Sequence, residues 1–238
     1  MPHSATPVAV ERQAKAGRPP GAWLKWATHL GRRASAAVRA SARVSADRMV
    51  IALAAAHRRR LRDTTFIGVT GSAGKTMTKL LTARVLATHY TGRSTSGTRN
   101  NLRSAARSLL QHACKGDGFH VVELSADAAG GLARQIQLVR PTIGVVTSIG
   151  TDHYSVFGSI EGIAAEKSKL IRALPPSGIA VLNADDERVL AMAGTHAGRV
   201  ITYGRSAGAS VRATDVSSAW PERLSFLVTC GDERAFVT

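Results

Sequence analysis

Apolar and polar positions follow two different rhythms along the chain, and the rhythm changes near residue 64. Between residues 21 and 61 apolar side chains recur at helical spacing, clearest at Trp23, Trp26 and Leu30, with arginines and lysines interleaved. This pattern predicts a basic helix. Residues 1–20 are rich in Pro, Ala, Gly and charge and have no period, so the sequence predicts that they are disordered.

From Thr64 onward, short apolar runs alternate with stretches of helical period. The predicted strands are 66–70, 119–124, 142–147, 179–182 and 200–203, followed by a hairpin-like pair at 210–216 and 223–229. The predicted helices are 78–88, 102–113, 132–139 and 160–174. Such alternation predicts an α/β fold of the P-loop type, with a mainly parallel sheet covered by helices on both faces. We therefore divide the chain into a basic N-terminal segment, 1–62, and an α/β domain, 63–238.

The net charge of +16 belongs mostly to the N-terminal segment. Residues 1–60 hold 12 Lys and Arg against Glu11 and Asp47, which gives +10. A basic helix with Trp anchors could contact an anionic membrane surface, bind nucleic acid without sequence specificity, or pack on its own domain. Its Arg-rich, acid-poor composition also resembles that of organellar transit peptides.

Apolar runs and cysteines limit the location of the protein. The longest apolar run, Met49 to Ala56, is too short to span a bilayer. Cys114 and Cys230 have no spacing typical of a metal site or a disulfide framework, which favours a reducing compartment. We expect a cytoplasmic protein, peripheral to the membrane if residues 21–61 contact lipid, with no specific nucleic-acid partner.

The strongest local motif lies between the first predicted strand and the next helix, and reads Gly71-Ser72-Ala73-Gly74-Lys75-Thr76. Glycines let the main chain approach phosphates, and the new helix offers them its N-terminal N–H groups. Lys75 would reach the β- and γ-phosphates of ATP, and the Thr76 hydroxyl would bind Mg²⁺. The position five residues before the Gly-Lys pair is Val69, so a shortened Thr-Gly-x-x-Gly-Lys-Thr loop fits better than the general motif.

That shortened loop and five further motifs, in the same order, resemble the central ATP-binding domain of the Mur ligase family over about residues 64–230. The further motifs are Thr98-Arg99-Asn100-Asn101, Val121-Val122-Glu123, Thr147-Ser148-Ile149 with Asp152-His153 and Phe157-Gly158-Ser159, Ile163-Ala164-Ala165-Glu166-Lys167, and Leu182-Asn183-Ala184-Asp185-Asp186. The loop and the Phe-Gly-Ser segment are most similar to the branch that adds D-alanyl-D-alanine to a muramyl tripeptide.

The resemblance also implies roles for individual side chains. Glu123, at the end of an apolar strand, would bind Mg²⁺ together with Thr76, which its position beside the phosphate loop also favours. His153 and Lys167 would be further metal ligands, with Lys167 converted to an anionic carbamate by CO₂. Asn183 would bind the adenine edge and Asp186 would be a second nucleotide-side residue. Asn100 and Asn101 would face the substrate, whereas Asp152 could be structural or functional.

The activity implied by the resemblance is ligation of a carboxylate to an amine through an acyl phosphate, with Lys75, Lys167 and His153 in catalytic roles. The substrates could be a UDP-muramyl peptide or an amino-acid polymer. The family's N-terminal UDP-sugar domain and C-terminal ligase domain do not match this sequence, so we expect a fragment of a longer ligase or a divergent relative. The alternatives are another P-loop phosphotransferase or NTPase, and a non-catalytic nucleotide-binding module tethered by its basic tail.

Overall fold

The computed structural model describes residues 22–95, 101–125, 128–152 and 154–238, with side chains described from Ser41 onward. The chain forms two units, Met1–Ala46 and Asp47–Thr238. The described part of the first unit is the beginning of a 39-residue helix, α1 (Ala22–Arg60), which agrees with the predicted basic helix. None of the helices in the described ranges has the length and hydropathy needed to cross a membrane. The predicted disorder of residues 1–20 lies outside the described residues.

The second unit follows the predicted alternation of strands and helices. Its helices after α1 are α2 (Lys75–Leu86), α3 (Leu102–His112), α4 (Gly131–Val139), α5 (Tyr154–Phe157), α6 (Ile160–Arg172) and α7 (Glu187–Leu190), with a 3₁₀ helix at Ala191–Thr195. Its strands are β1 (Thr65–Thr70), β2 (Gly92–Ser94), β3 (Phe119–Glu123), β4 (Ile143–Val146), β5 (Ile179–Asn183), β6 (Arg199–Gly204), β7 (Val211–Ser217), β8 (Ser225–Cys230) and β9 (Glu233–Val237).

All nine strands join one sheet in the order β2-β3-β1-β4-β5-β6-β7-β8-β9. The pairings from β2 to β7 are parallel, and β7-β8 and β8-β9 are antiparallel. After β3 the chain crosses to the opposite side of β1 to form β4, so the connections diverge at β1. Ligands of open parallel sheets bind outside the carboxyl ends of the strands at such a switch point. The predicted phosphate loop follows β1 at this point.

Helices cover both faces of the sheet, as the sequence predicts. On one face, Ala83 and Leu86 of α2 pack against a buried cluster that includes Val69 and Val121. On the other face, α3, α4, α6 and the end of α1 build the larger core, in which Ala54, Phe66 and Leu109 are fully buried. The central strands are apolar on both faces because each face is covered. The α/β prediction is therefore confirmed.

Several short elements were absent from the sequence-based prediction. They are β2, α5, α7, the 3₁₀ helix and β9, each of five residues or fewer. Helix α2 also begins at Lys75 instead of Thr78, which places Lys75 and Thr76 in its first turn. Its apolar positions at Leu80, Leu81 and Val85 are largely exposed. The helical period was correct here, but it does not identify the face of α2 that packs on the sheet.

Candidate active site

The phosphate loop depends on two glycines with backbone angles that other residues rarely adopt. Gly71 has φ of 150°, and a Cβ built there would lie 1.9 Å from Thr147 Oγ1. Gly74 has φ of 79° and stands at the N-cap of α2, where no side chain caps the helix. The first N–H groups of α2 therefore have no partner within the helix, and this N-terminus is suited to bind an anion.

Lys75 lies folded back over its own loop. Its Nζ donates to Gly71 O at 2.8 Å and Ser72 O at 3.0 Å, and it forms an ion pair with Asp152 Oδ2 at 3.2 Å. The Lys75 side chain is only 13% exposed. Asp152, which the sequence left undecided between a structural and a functional role, is thus the ionic partner of the phosphate-loop lysine.

The segment after β4 braces the phosphate loop through a dense set of hydrogen bonds. Ser72 N donates to Ser148 O at 2.8 Å, and Gly150 N donates to Ser72 Oγ at 2.8 Å. Thr147 Oγ1 donates to Ala73 O at 2.6 Å. Because these bonds hold the loop at several points, its shape is fixed before any ligand binds. The sequence motif at residues 147–149 was recognised, but its spacing gave no sign of this contact.

A buried carboxylate lies directly behind the first turn of α2. Thr76 Oγ1 donates to Glu123 Oε2 at 2.9 Å, and Lys79 Nζ lies 3.4 Å from the same oxygen. The side chains of Lys79 and Glu123 are 1% and 2% exposed, respectively. Sequence reasoning missed Lys79; the only signal in the sequence was its place one helical turn after Lys75, because the apolar pattern of α2 does not identify its buried face.

The Thr76 and Glu123 pair fits the chemistry of Mg²⁺. This ion prefers hard oxygen donors and is commonly held by one or two protein oxygens, with phosphate oxygens and waters completing the shell. No cluster of three or more His, Cys, Asp or Glu that could hold a metal occurs within the described residues. A divalent ion at this place would thus depend on nucleotide phosphates as well as on the protein.

Lys167 is a buried amine on the inner face of α6, with 6% of its surface exposed. Burial, followed by the nearby charge of Lys75, lowers the pKa of Lys167 to about 8, while Asp152 and Glu166 act in the opposite direction. The neighbouring Lys169 is different, because its ammonium group pairs with Glu166 at 2.5 Å and is 40% exposed. The two lysines, which adjoin in sequence, therefore have separate environments.

The end of β5 contributes side chains that organise the neighbouring loops. Asn183 Nδ2 donates to Thr147 O at 2.9 Å. Asp186 accepts from Ile149 N at 2.7 Å, and its other oxygen accepts from two N–H groups at the start of α7. These contacts bring both predicted nucleotide-side residues to the edge of the sheet that carries the phosphate loop. Their assignment to the nucleotide stays a prediction.

The predicted site residues that remain are only partly described. Asn100 and His153 lie outside the described residues. Asn101 is described and caps α3, since its side-chain oxygen accepts from Ser104 N at 2.9 Å. The structure thus brings together Lys75, Thr76, Glu123 and Lys167 at one edge, and the proposed substrate contact of Asn101 stays a prediction.

Comparison with known proteins agrees with this geometry. A family model described as the Mur ligase middle domain matches residues 69–235. The UDP-N-acetylmuramoyl-tripeptide--D-alanyl-D-alanine ligase of Mycobacterium bovis is 39% identical over 173 residues, which are 73% of this chain and 34% of that protein. The chain thus spans about a third of the length of this curated relative.

Solved structures show the same similarity. MurF of Acinetobacter baumannii matches with a TM-score of 0.74 and 26% identity, covering 80% of this chain and 42% of that one. MurF ligase of Thermotoga maritima, crystallised with ADP, matches with a TM-score of 0.70 and 26% identity, covering 79% and 44%. With its family model matched along residues 69–235, this chain belongs to the Mur ligase middle domain family.

Proposed function

We propose that this chain is the ATP-binding core of a ligase that joins a carboxylate to an amine through an acyl phosphate. The observation that carries the proposal is the convergence of three groups at the carboxyl edge of the sheet. These are the glycine-shaped loop with Lys75, the hydrogen-bonded pair of Thr76 and the buried Glu123, and the buried amine of Lys167. Family membership and the ADP bound to a similar MurF structure support ATP as the nucleotide.

In the first step, a carboxylate oxygen of the substrate would form a bond to the γ-phosphorus, and the bond to the β–γ bridging oxygen would break. ADP leaves with the bonding electrons. Phosphoryl transfer depends on positioning and on stabilising charge. The N–H groups at the start of α2 and the ammonium group of Lys75 supply both, after Lys75 exchanges its loop carbonyls for phosphate oxygens.

In the second step, the amine nitrogen would attack the acyl carbon. Phosphate leaves with the electrons of the carbon–oxygen bond, and the nitrogen loses a proton. Mg²⁺, held by Thr76 and Glu123 with phosphate oxygens, would supply charge neutralisation at the phosphates. Asp152 would keep the Lys75 ammonium group at the loop, since the two groups lie 3.2 Å apart.

Lys167 is proposed to act as a carbamate, formed when its neutral amine nitrogen bonds to the carbon of CO₂ and a proton is released. A pKa near 8 supports this assignment, because it leaves a larger share of neutral amine at neutral pH than an ordinary lysine has. The resulting anion would lie among Lys75 and the proposed metal ligands. His153 keeps its proposed role as a further metal ligand, and Asn183 and Asp186 keep theirs beside the nucleotide.

The substrates proposed for the whole protein are a UDP-muramyl tripeptide as the carboxylate and D-alanyl-D-alanine as the amine. The ligase activity for which the mycobacterial relative is named supports this choice over an amino-acid polymer. With ¹⁸O in the substrate carboxylate, an acyl phosphate requires that label to appear in the released phosphate. Unlabelled phosphate, with the peptide product formed, would contradict the proposed mechanism.

Nucleotide binding can be tested first by calorimetry with Mg²⁺ and ATP. We expect the wild type to bind, Lys75→Ala to lose most of the affinity, and Lys115→Ala to behave as the wild type. Lys115 is an exposed lysine away from the loop, so it controls for the loss of one positive charge. Equal binding by the wild type and Lys75→Ala would remove the phosphate loop from the proposal.

The proposed role of Lys167 can be tested by comparing it with the neighbouring Lys169. Lys167→Ala should abolish product formation, whereas Lys169→Ala should retain most of it. Removing dissolved CO₂ should lower the activity of the wild type, and added bicarbonate should restore it. A non-ligase P-loop enzyme has no reason to respond to bicarbonate, so an unchanged rate would favour that alternative.

The basic segment at residues 21–61 is proposed to contact an anionic membrane surface. A long helix whose described C-terminal half carries Arg43 and Arg48 beside exposed Val44 and Met49 supports this contact. Retention on anionic vesicles should fall steeply with salt and with Arg43→Gln plus Arg48→Gln. Retention that changes neither with salt nor with these substitutions would contradict the proposed membrane contact.

A further inference from the structure

A cavity of about 820 Å³ opens beside the amino-terminal ends of β1 and β4, at the opposite edge of the sheet from the phosphate loop. Its lining includes four arginines, and none of the described residues that line it is an aspartate or glutamate. The arginines are Arg58, Arg59, Arg62 and Arg140. Strand β1 separates the two edges, and its six residues at about 3.3 Å each place the cavity roughly 20 Å from the loop.

Arg58 lines the cavity, but its guanidinium group binds backbone carbonyl oxygens instead of facing a ligand. Its guanidinium group donates to Val139 O at 2.6 Å, Leu61 O at 3.0 Å and Arg140 O at 2.9 Å. It also lies 3.7 Å from the centre of the Phe66 ring. Carbonyl oxygens at helix ends would repel an anion. Because Arg58 donates hydrogen bonds to these three oxygens, they oppose an anion in the cavity less strongly.

The other three arginines are exposed, and Asp63, which directly follows Arg62 in sequence, forms no ion pair with it. Arg59, Arg62 and Arg140 form no ion pair with any residue in the described ranges. Arg140 also lies close enough to Arg58 to affect it, since burial and then the charge of Arg140 lower the pKa of Arg58 to about 10. Several like charges around one concave surface attract a counter-ion of opposite sign and high charge.

Arg140 occupies a backbone position that favours glycine. It is the C-cap of α4 with φ of 50° and ψ of 61°, in the left-handed region. Helices commonly end with glycine or asparagine there because a larger side chain is strained. A strained arginine at the mouth of a basic cavity is an observation that points to a role for its side chain.

We propose that this arginine cavity binds a compact oxyanion with two or more negative charges, of the kind found in a diphosphate or a phosphomonoester. Guanidinium groups bind phosphate oxygens through paired hydrogen bonds, and several arginines around one concave surface favour a ligand that carries more than one negative charge. The apolar wall formed by Ile136, Pro141 and Pro175 would contact the carbon part of a phosphorylated molecule. The ligand is either a free phosphorylated compound or the headgroup of a lipid.

The test uses the full chain carrying Lys75→Ala, so that the phosphate loop no longer contributes a site. Inorganic pyrophosphate, without Mg²⁺, is titrated by calorimetry. Vesicles of phosphatidylcholine with and without phosphatidic acid are used in a parallel sedimentation assay. In this background, Arg62→Gln with Arg140→Gly removes two of the cavity charges, and Arg107→Gln removes an exposed charge from α3 as the matched control.

We expect one pyrophosphate site in the Lys75→Ala chain, weakened at least about tenfold by the paired cavity substitutions and unchanged by Arg107→Gln. Arg140→Gly should fold normally, because glycine suits φ of 50°. Retention by phosphatidic acid that falls with the same substitutions would identify a lipid headgroup as the source, and pyrophosphate binding alone would identify a free ligand. Binding to neither probe, or binding that survives the cavity substitutions, would overturn the proposal.

Discussion

Among single residues, the buried pair of Lys79 and Glu123 most directly joins the core to the candidate active site. Glu123 receives the Thr76 hydroxyl on one side and the Lys79 ammonium group on the other. A carboxylate placed behind a phosphate loop would repel nucleotide phosphates if no cation accompanied it. Lys79 therefore places a positive charge beside Glu123 inside the domain, while Glu123 remains beside the loop.

Removal of the Lys79 charge should destabilise the domain. Lys79→Met leaves a buried carboxylate without its ammonium partner, at an expected cost of about 3 kcal/mol in the free energy of unfolding. Urea unfolding measures this loss. The double variant Lys79→Met with Glu123→Gln should recover part of the stability, because neither member of this pair then carries a charge. Equal stability of the single and double variants would contradict the ion-pair explanation.

His120 should make the stability of the domain sensitive to mild acid. The ring is fully buried, and neither nitrogen has a hydrogen-bond partner among the described residues. Burial, opposed by Asp117 and assisted by His112, Arg93 and Arg58, lowers the pKa of His120 to about 4. Its neutral form is therefore favoured in the folded state.

The sign of the effect follows from the two pKa values. The unfolded chain takes up a proton on His120 below about pH 6.5, and the folded chain does so only near pH 4, so stability falls between these values. The loss should reach about 3 kcal/mol. His120→Leu should remove it, which chemical unfolding at pH 7 and near pH 4.5 would measure. An identical pH dependence in both proteins would exclude His120 as the cause.

Among the elements, α2 combines the phosphate loop with an unusual distribution of apolar side chains. Lys79, Ala83 and Leu86 lie toward the sheet, while Leu81 and Val85 are 57% and 65% exposed. The helix is therefore held to the sheet by one narrow stripe that includes a buried lysine. Its remaining apolar residues contribute little to the stability of this domain.

Polar substitutions on the exposed side of α2 should be tolerated. Leu81→Gln and Val85→Gln should each change the free energy of unfolding by less than about 0.5 kcal/mol. Leu109→Ala on α3, where the leucine is fully buried, should lose about 3 kcal/mol and serves as the comparison. Urea unfolding of the three variants measures both effects. A large loss for Leu81→Gln would mean that the exposed side of α2 is packed in solution.

The elements that the sequence predicted well are those with a clear buried periodicity. Helices α3 and α6 begin at their predicted first residues and end within two residues of their predicted ends, and the structure shows that Asn101 and Ser159 cap them. Strand β2 has no apolar residue and forms because α2 returns the chain beside β3. Such a strand depends on tertiary pairing, which no local pattern contains.

The candidate site likewise contains residues that local motifs predict and contacts that only the folded structure reveals. The phosphate loop and Glu123 carry local motifs, and both were predicted. The ion pair of Lys75 with Asp152 joins residues 77 positions apart, and the brace at residues 147–150 joins two separate loops. Ordinary residue types make these contacts, so only the folded sheet reveals them.

In the whole molecule, burial decreases along the sheet from β1 toward β9. Strands β1 and β3 are almost wholly buried, whereas β7 and β8 are half-buried or exposed and β9 is exposed throughout. Phe236, on β9, is 67% exposed. The sheet is continuous in its hydrogen bonds but not in its apolar cover, and cooperative stability depends on that cover.

Hydrogen exchange should therefore distinguish the buried strands of the sheet from the exposed ones. Amides of β1, β3 and β4 should exchange only through global unfolding, whereas those of β8 and β9 should exchange through local opening at a lower free energy. Mass spectrometry of deuterium uptake under native conditions, with and without mild urea, measures the difference. Local opening responds weakly to urea because it exposes little surface, while global unfolding responds strongly. Uptake by β8 as slow and as urea-sensitive as that of β3 would mean that all nine strands unfold together, and that burial alone does not set the cooperative unit.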